Sequence, residues 1–188
     1  MRIISGSFKG KKLFKPNDNT TRPLKDLTKE SIFNILTHSN NFKINIEKSV
    51  ILDLFSGVGS FGIECLSRGV EKVIFVENYI GVLPILKKNL SSLKEINNYQ
   101  IIQKDIYKDN FLSKLDVKFD IIFLDPPYKD KNLDEILLKI YQLKLLNNKG
   151  ILILHRHKKQ KDNLPLNFRV IEEKKYGISK IIFLTSLN

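Results

Sequence analysis

A single cysteine in 188 residues excludes an intrachain disulfide, and with it the class of small stapled scaffolds. Cys65 stands beside Leu66 in a helical pattern and reads as a buried apolar thiol. Metal chemistry finds no support either. His38, His155 and His157 have no cysteine or carboxylate at ligand spacing, so no metal is assigned. No apolar run is long enough to span a bilayer, and charges at Arg2 and Lys9 leave no signal-peptide core. The expectation is a cytoplasmic protein without membrane attachment. Acidic residues are scarce as well: 20 Asp and Glu face 32 Lys and Arg, a net charge of +12. Such a surplus favours a polyanionic partner. However, 27 of the 32 basic residues are lysine in a chain also rich in Asn and Ile, the bias that AT-rich codons produce. Clustering therefore counts for more than the total.

Two clusters exist. Arg2, Lys9, Lys11, Lys12, Lys15, Arg22, Lys25 and Lys29 fall in the first 29 residues, and Arg156, His157, Lys158, Lys159 and Lys161 follow a later apolar run. Both are expected on loops or edges within reach of a phosphate backbone, with Arg2, Lys9, Lys11, Lys12 and Arg22 as the candidate phosphate contacts. The chain is 42% apolar, enough for one full core.

The most informative segment is Asp125-Pro126-Pro127-Tyr128, which closes the apolar run Phe119–Leu124. A run rich in β-branched and aromatic residues, halted by two prolines, predicts a buried strand with an abrupt end. Each proline keeps its predecessor extended and contributes no N–H, which leaves nearby carbonyls free to point outward. The product is a rigid ledge bearing a carboxylate, a carbonyl and an aromatic ring. It suits a nucleobase amine, whose two N–H groups go to Asp125 and the Pro126 carbonyl while Tyr128 stacks on the ring. A plain Pro-Pro turn with Asp as turn former explains the same four residues.

A second motif helps to decide. The strand pattern Ser49–Phe55 runs into Ser56-Gly57-Val58-Gly59-Ser60-Phe61-Gly62 and then into a helical pattern, a G-x-G-x-x-G in strand–loop–helix context. Glu77 ends the next strand, placed to accept both hydroxyls of an adenosine ribose. The fingerprint alone fits a nicotinamide dehydrogenase as readily as a methyltransferase. Asp53, just before the loop, repels a pyrophosphate and suits a cation such as the sulfonium and ammonium of S-adenosylmethionine, held directly or through water. Asp105, after the strand Gln100–Gln103, is placed to accept from the adenine amine and equally to cap a helix. Phe55, Gly57 and Gly59 complete the expected cofactor site, with Asp125 at its edge.

These residues, in the order Asp53-Leu54-Phe55-Ser56-Gly57-Val58-Gly59, Glu77, Asp105 and Asp125–Tyr128, resemble Rossmann-like methyltransferases of exocyclic amines. The N-terminal Met1–Gly6, Lys9–Leu13, Thr21-Arg22-Pro23 and Lys29–Asn34 narrow the resemblance to the RsmD family. That resemblance implies methylation of N2 of a guanine in bacterial small-subunit (16S) ribosomal RNA, with S-adenosylmethionine as cofactor and Asp125, Pro126, Pro127 and Tyr128 as the catalytic ledge. It also implies an α/β class I fold: a mostly parallel seven-stranded sheet ending in an antiparallel hairpin. The chain departs from the family pattern at Asp26–Lys29, where arginine is usual, at His155, where glutamate is usual, and at Asn78, where aspartate is usual.

The expected organisation is a hairpin-and-helix extension over residues 1–48, covering the RNA and cofactor side, and a methyltransferase domain over 49–188. The hairpin turns at Gly6 and Gly10. Arg22-Pro23 opens a helix with Leu27, Ile32, Phe33, Ile35 and Leu36 as its apolar face. Helices are expected at Tyr79–Leu93, Asp109–Leu115 and Leu133–Leu143, and late strands at Gly150–Leu154, Phe168–Lys175 and Ile178–Leu184. Asp53, Glu77, Asp105 and Asp125 then share one rim of strand ends. A monomer acting on ribosomal RNA in an assembling small subunit is the expected partner picture. A DNA adenine-N6 methyltransferase would use the same ledge, but fewer than 50 residues precede the first sheet strand, too few for a target-recognition domain. A non-catalytic ribosome-assembly factor is the alternative of another class, and cofactor binding discriminates it.

Overall fold

In the computed structural model, which describes residues 1–16, 24–127 and 129–187, seven strands form one sheet in the order β3-β2-β1-β4-β5-β7-β6. Strands β1 (Val50–Leu54), β2 (Lys72–Val76), β3 (Tyr99–Ile102), β4 (Phe119–Leu124) and β5 (Leu146–His157) run parallel. β6 (Phe168–Tyr176) and β7 (Ser179–Ser186) are joined by Gly177-Ile178, and β7 inserts antiparallel between β5 and β6. Two residues cannot make a parallel crossover, and Gly177 supplies the positive φ of +56° that so tight a turn demands.

The inner strands are apolar on both faces because both faces are covered. On one side, Ile51, Phe75, Phe123 and Ile153 pack beneath α1 (Asp26–His38), α2 (Ser60–Ser67) and α3 (Leu83–Ser91). On the other, Leu52, Ile122, Leu124 and Leu154 pack against α4 (Leu133–Gln142) and the segment around Ile106 and Leu112. A ring stack joins the layers: Phe33 of α1 lies 5.4 Å from Phe61 of α2, which lies 4.0 Å from Phe123 of β4. Phe123 is two residues before Asp125, so this stack floors the ledge. Cys65 is buried, as its helical position indicated.

The N-terminal arm is clipped to the end of α2. Ser7 N–H donates to the Ser67 carbonyl at 2.8 Å, and the Glu64 carboxylate accepts from Ile4 and Ser5 N–H at 2.8 and 3.0 Å. Gly6 has φ +82°, and a Cβ there would lie 1.7 Å from the Ser67 carbonyl oxygen, so the clip needs glycine. Ile3 and Leu13 enter the same core as Phe33 and Phe61.

Several local expectations need correction. The hairpin reduces to one antiparallel bridge, Arg2 with Lys12, flanked by single hydrogen bonds. Helix α1 begins at Asp26, and Arg22-Pro23 lies outside the described residues. Leu27 is 78% exposed; Thr28, Lys29, Ile32, Phe33 and Leu36 form the buried face instead. Lys29 is buried because Glu64 lies 3.4 Å away and the Arg2 carbonyl accepts its ammonium at 2.7 Å. Residues 109–115 form no α-helix, only a 3-10 turn at Leu112–Lys114. Asp109 instead bonds back to Asp105 N–H at 2.8 Å, a local turn that competes with helix. Strand β5 begins four residues earlier than expected, at Leu146, across an irregularity in its pairing with β4. Among the described residues, no helix is long and apolar enough to cross a membrane.

Candidate functional site

The parallel register brings the carboxyl ends of β1, β2 and β4 level: Leu54 pairs with both Val76 and Leu124, and Val76 with Ile102. Asp53, Glu77, Asp105 and Asp125 therefore meet along four adjacent strand ends, the edge where open α/β sheets bind ligands. Phe55 turns the chain out of β1 with φ +59°, a left-handed conformation costly for an aromatic residue and held here by the loop that follows. Gly57 and Gly59 continue at φ +55° and +85°, and Gly59 is the N-cap of α2. A Cβ on Gly62 would fall 2.3 Å from the Phe75 ring and 2.9 Å from Asp53 Oδ2, so the third glycine lets α2 sit directly on the sheet.

The acids do different jobs. Glu77 Oε2 accepts Gly57 N–H at 2.6 Å, and Oε1 accepts Asn78 and Tyr79 N–H at 3.0 and 2.9 Å. It braces the glycine loop while one acceptor site of its carboxylate is still open. These bonds also delay α3, which starts at Leu83 with Pro84 in its first turn rather than at Tyr79. Asp53 is 1% exposed and lies beneath the loop, where Oδ2 accepts Gly62 N–H at 2.9 Å. Burial raises its carboxyl well above the ordinary value; the Asp125 and Glu77 charges add to that, against the Gly62 bond. Asp105 caps its own turn by accepting Tyr107 N–H at 2.9 Å. A cleft of about 160 Å³ opens between these strand ends, with Phe55, Glu77, Asp105, Tyr107 and Pro127 in its wall. The Phe55 and Tyr107 rings in this wall are 6.0 Å apart, tilted by 48°.

Asp125 is partly exposed at the end of β4. His155 Nδ1 lies 2.8 Å from its Oδ1, and His155 Nε2 lies 2.9 Å from the Ser179 hydroxyl. Beyond the prolines, Arg156 donates to the carbonyls of Pro127 and Asp130, each at 3.0 Å, and to Asp162 Oδ1 at 2.8 Å. The Tyr107 hydroxyl donates to Asp130 Oδ2 at 2.5 Å; burial and that carboxylate push it well above its ordinary value, so it stays a donor. The backbone on both sides of residue 128 is thus held, while Tyr128 itself lies outside the described residues.

Sequence reading misplaced Arg156. It is 1% exposed, a brace for the ledge and not part of a surface cluster. It also missed Asn89, which is buried on α3, donates to the Val58 carbonyl of the loop at 3.0 Å and exchanges two bonds with Phe14. An Asn among apolar helix positions was its only signal. Of the candidate RNA contacts, Lys9 and Lys12 are exposed, and Arg2 sits 3.9 Å from Asp26. Lys11 is committed: its ammonium donates to the Ser92 carbonyl. Arg22 lies outside the described residues.

A sheet of this order, with a glycine loop after β1 and acids on the adjacent ends, defines a Rossmann-like methyltransferase, and solved structures agree. A methyltransferase candidate of Escherichia coli, 26% identical, superposes with TM-score 0.80 over 99% of this chain and 97% of its own. A methylase candidate of Haemophilus influenzae, 31% identical, gives 0.75 over 100% and 98%. The chain belongs to the family described as Conserved hypothetical protein 95, matched over residues 1–185, the family of the Ribosomal RNA small subunit methyltransferase D proteins. The Haemophilus influenzae protein of that name is 32% identical over 183 residues, 95% of this chain and 90% of the other. Bacillus subtilis YlbH, by name a candidate rRNA methyltransferase, is 37% identical over 154 residues, 81% and 80% of the two chains. Family, fold and enzyme class are those expected from the sequence.

Proposed function

We propose that this protein transfers a methyl group from S-adenosylmethionine to the N2 amine of a guanine in 16S ribosomal RNA. The observation that carries the reading is the placement of Asp53, Glu77, Asp105 and Asp125 at four neighbouring strand ends, with Glu77 and Asp105 in the wall of the cleft. The residues present suit the cofactor. Glu77 keeps an acceptor for a ribose hydroxyl, Phe55 and Tyr107 offer ring faces, and the acidic rim attracts a cation. Asp53, under the loop, is better placed to act on the ammonium through water than by direct contact.

When bound, S-adenosylmethionine supplies an electrophilic methyl carbon. The chain's own residues supply alignment. A guanine amine is a weak nucleophile because its lone pair is delocalised into the ring. Asp125 and the Pro126 carbonyl accept its two N–H bonds, which favours a pyramidal nitrogen and aims the lone pair at the methyl group. Bringing the reacting atoms to ~3 Å, with water excluded, accounts for most of the acceleration. Pro127 stiffens the ledge, and Tyr128 stacks on a base that must be unpaired or flipped out. No strong base is needed beforehand, since the amine sheds its proton after transfer. Lys9 and Lys12 on the arm, with Arg2 and Arg22, meet the phosphate backbone. The substrate is an assembling small subunit in the cytoplasm, and the enzyme acts as a monomer. Mass mapping of small-subunit rRNA from cells lacking the gene tests the reading: one guanine should lose a methyl group and regain it on complementation. An unchanged methylation map refutes it.

A further inference from the structure

We propose that His155 is a positioning residue for the Asp125 ledge: it holds one carboxylate oxygen so that the other is presented to the substrate amine. This rests on the methyl-transfer reading above.

The sheet register makes the pair. Leu124 of β4 is level with Leu154 of β5, so residues 125 and 155 emerge side by side where β4 ends and β5 continues. His155 Nδ1 stands 2.8 Å from Asp125 Oδ1. An ionised carboxylate only accepts, so the hydrogen of that bond belongs to Nδ1. On the far edge of the ring, Nε2 lies 2.9 Å from the hydroxyl of Ser179, which opens β7. A hydroxyl both donates and accepts, so this second bond is satisfied in either charge state of the ring. Histidine is 6% exposed and Ser179 is 4% exposed; bonded at both nitrogens, the imidazole has a fixed plane.

That rigidity matters because the terminal torsion of an aspartate is soft and nearly two-fold. Unheld, the carboxylate can swing its plane or exchange its oxygens against a planar amine. With Oδ1 taken by His155, the swing stops. Oδ2, which takes no hydrogen bond from the described residues, and the Pro126 carbonyl are then the two acceptors for the two N–H donors of the substrate. A donor lost here misaligns the lone pair at the moment of transfer while leaving the glycine loop and Glu77 unchanged. The effect belongs in kcat and not in cofactor affinity.

Two amide substitutions separate positioning from packing. In His155→Asn the amide nitrogen takes the place of Nδ1 and can still donate to Asp125. In His155→Gln the longer chain reaches the place of Nε2, which keeps the Ser179 contact and loses the bond to Asp125. The assay is methyl transfer from labelled S-adenosylmethionine to 30S subunits or deproteinised small-subunit rRNA from cells lacking the gene, with cofactor Kd measured by calorimetry. The asparagine variant should keep kcat within about threefold and the glutamine variant should lose about tenfold or more, with Kd moved less than about twofold in both. In an Asp125→Ala background, His155→Gln should cost nothing further. Should the glutamine variant not fold, His155→Leu, of similar bulk and without a donor, takes its place with the same expected loss. Equal rates for the asparagine and glutamine variants, or full additivity with Asp125→Ala, overturn the proposal. If Asp125→Ala alone keeps the wild-type rate, the ledge reading fails and the positioning role with it. If Asp125→Ala is inactive and His155→Gln runs at the wild-type rate, only the role of His155 fails.

Discussion

Glu77 accepts the Gly57 N–H at 2.6 Å, so the carboxylate at the end of β2 props open the glycine loop at the end of β1. A residue read from sequence as a ribose acceptor is also the support of the loop beside it. Glu77→Ala leaves the N–H groups of Gly57, Asn78 and Tyr79 without their partner. It should cost about 2 kcal/mol or more of stability as well as at least about tenfold in cofactor affinity. Glu77→Gln, which keeps an acceptor oxygen, should be milder on both counts. Urea denaturation and calorimetry read the two effects separately, and intact affinity in the alanine variant would remove Glu77 from the cofactor site.

Asp53 carries a pH signature. Its folded-state value lies above the ordinary 3.8, so its contribution to stability is complete below that pH and is lost as pH rises towards the folded value. Asp53→Asn escapes the loss and still accepts the Gly62 N–H. The cofactor-free variant should gain stability over wild type as pH rises above about 4. Its affinity for the cationic cofactor should fall, and wild-type binding should release protons, seen by calorimetry in buffers of different ionisation heat. A stability difference that does not change with pH would contradict the assignment.

Arg156 is the brace of the ledge. Arg156→Met leaves the buried Asp162 carboxylate with Lys180, at 3.4 Å, as its ion-pair partner among the described residues, and should destabilise by about 3–5 kcal/mol. The double variant Arg156→Met with Asp162→Leu should cost less than Arg156→Met alone, because the stranded carboxylate is gone and the Lys180 ammonium keeps the Gln160 carbonyl at 2.8 Å. Chemical denaturation of both variants checks this, and a double variant that is worse than the single one rules it out.

The arm lysines divide into two kinds. Lys9 and Lys12 are exposed, and replacing both with Ala should flatten the salt dependence of RNA binding by up to about two log–log units, one per phosphate contact. Cofactor affinity should not move. Lys11→Ala should instead cost about 1 kcal/mol of stability through its bond to the Ser92 carbonyl. If the double variant keeps the wild-type slope, these lysines are solvated bystanders.

What could be read in advance was what the chain writes locally. The strand cores at Val50–Leu54 and Phe119–Leu124 and the motifs at their ends are contiguous, so Asp53, Gly57, Gly59, Glu77 and Asp125 fell where the pattern put them. Segments governed by distant partners were not legible. Arg156 looks like one basic residue among five, and only the fold brings the Pro127 and Asp130 carbonyls to it. Lys29 is buried because Glu64, 35 positions later, meets it. Residues 109–115 had helical spacing, but the carboxylates of Asp105 and Asp109 bind nearby backbone N–H groups and favour a turn.

The central claim is that the Asp125 carboxylate aligns the amine during transfer. Single-turnover methylation, with enzyme in excess and cofactor already bound, isolates that step. Asp125→Ala should slow it by about a hundredfold or more with near-normal cofactor binding, and Asp125→Asn should be milder because its amide oxygen still accepts. An alanine variant that methylates rRNA at the wild-type single-turnover rate would contradict the account.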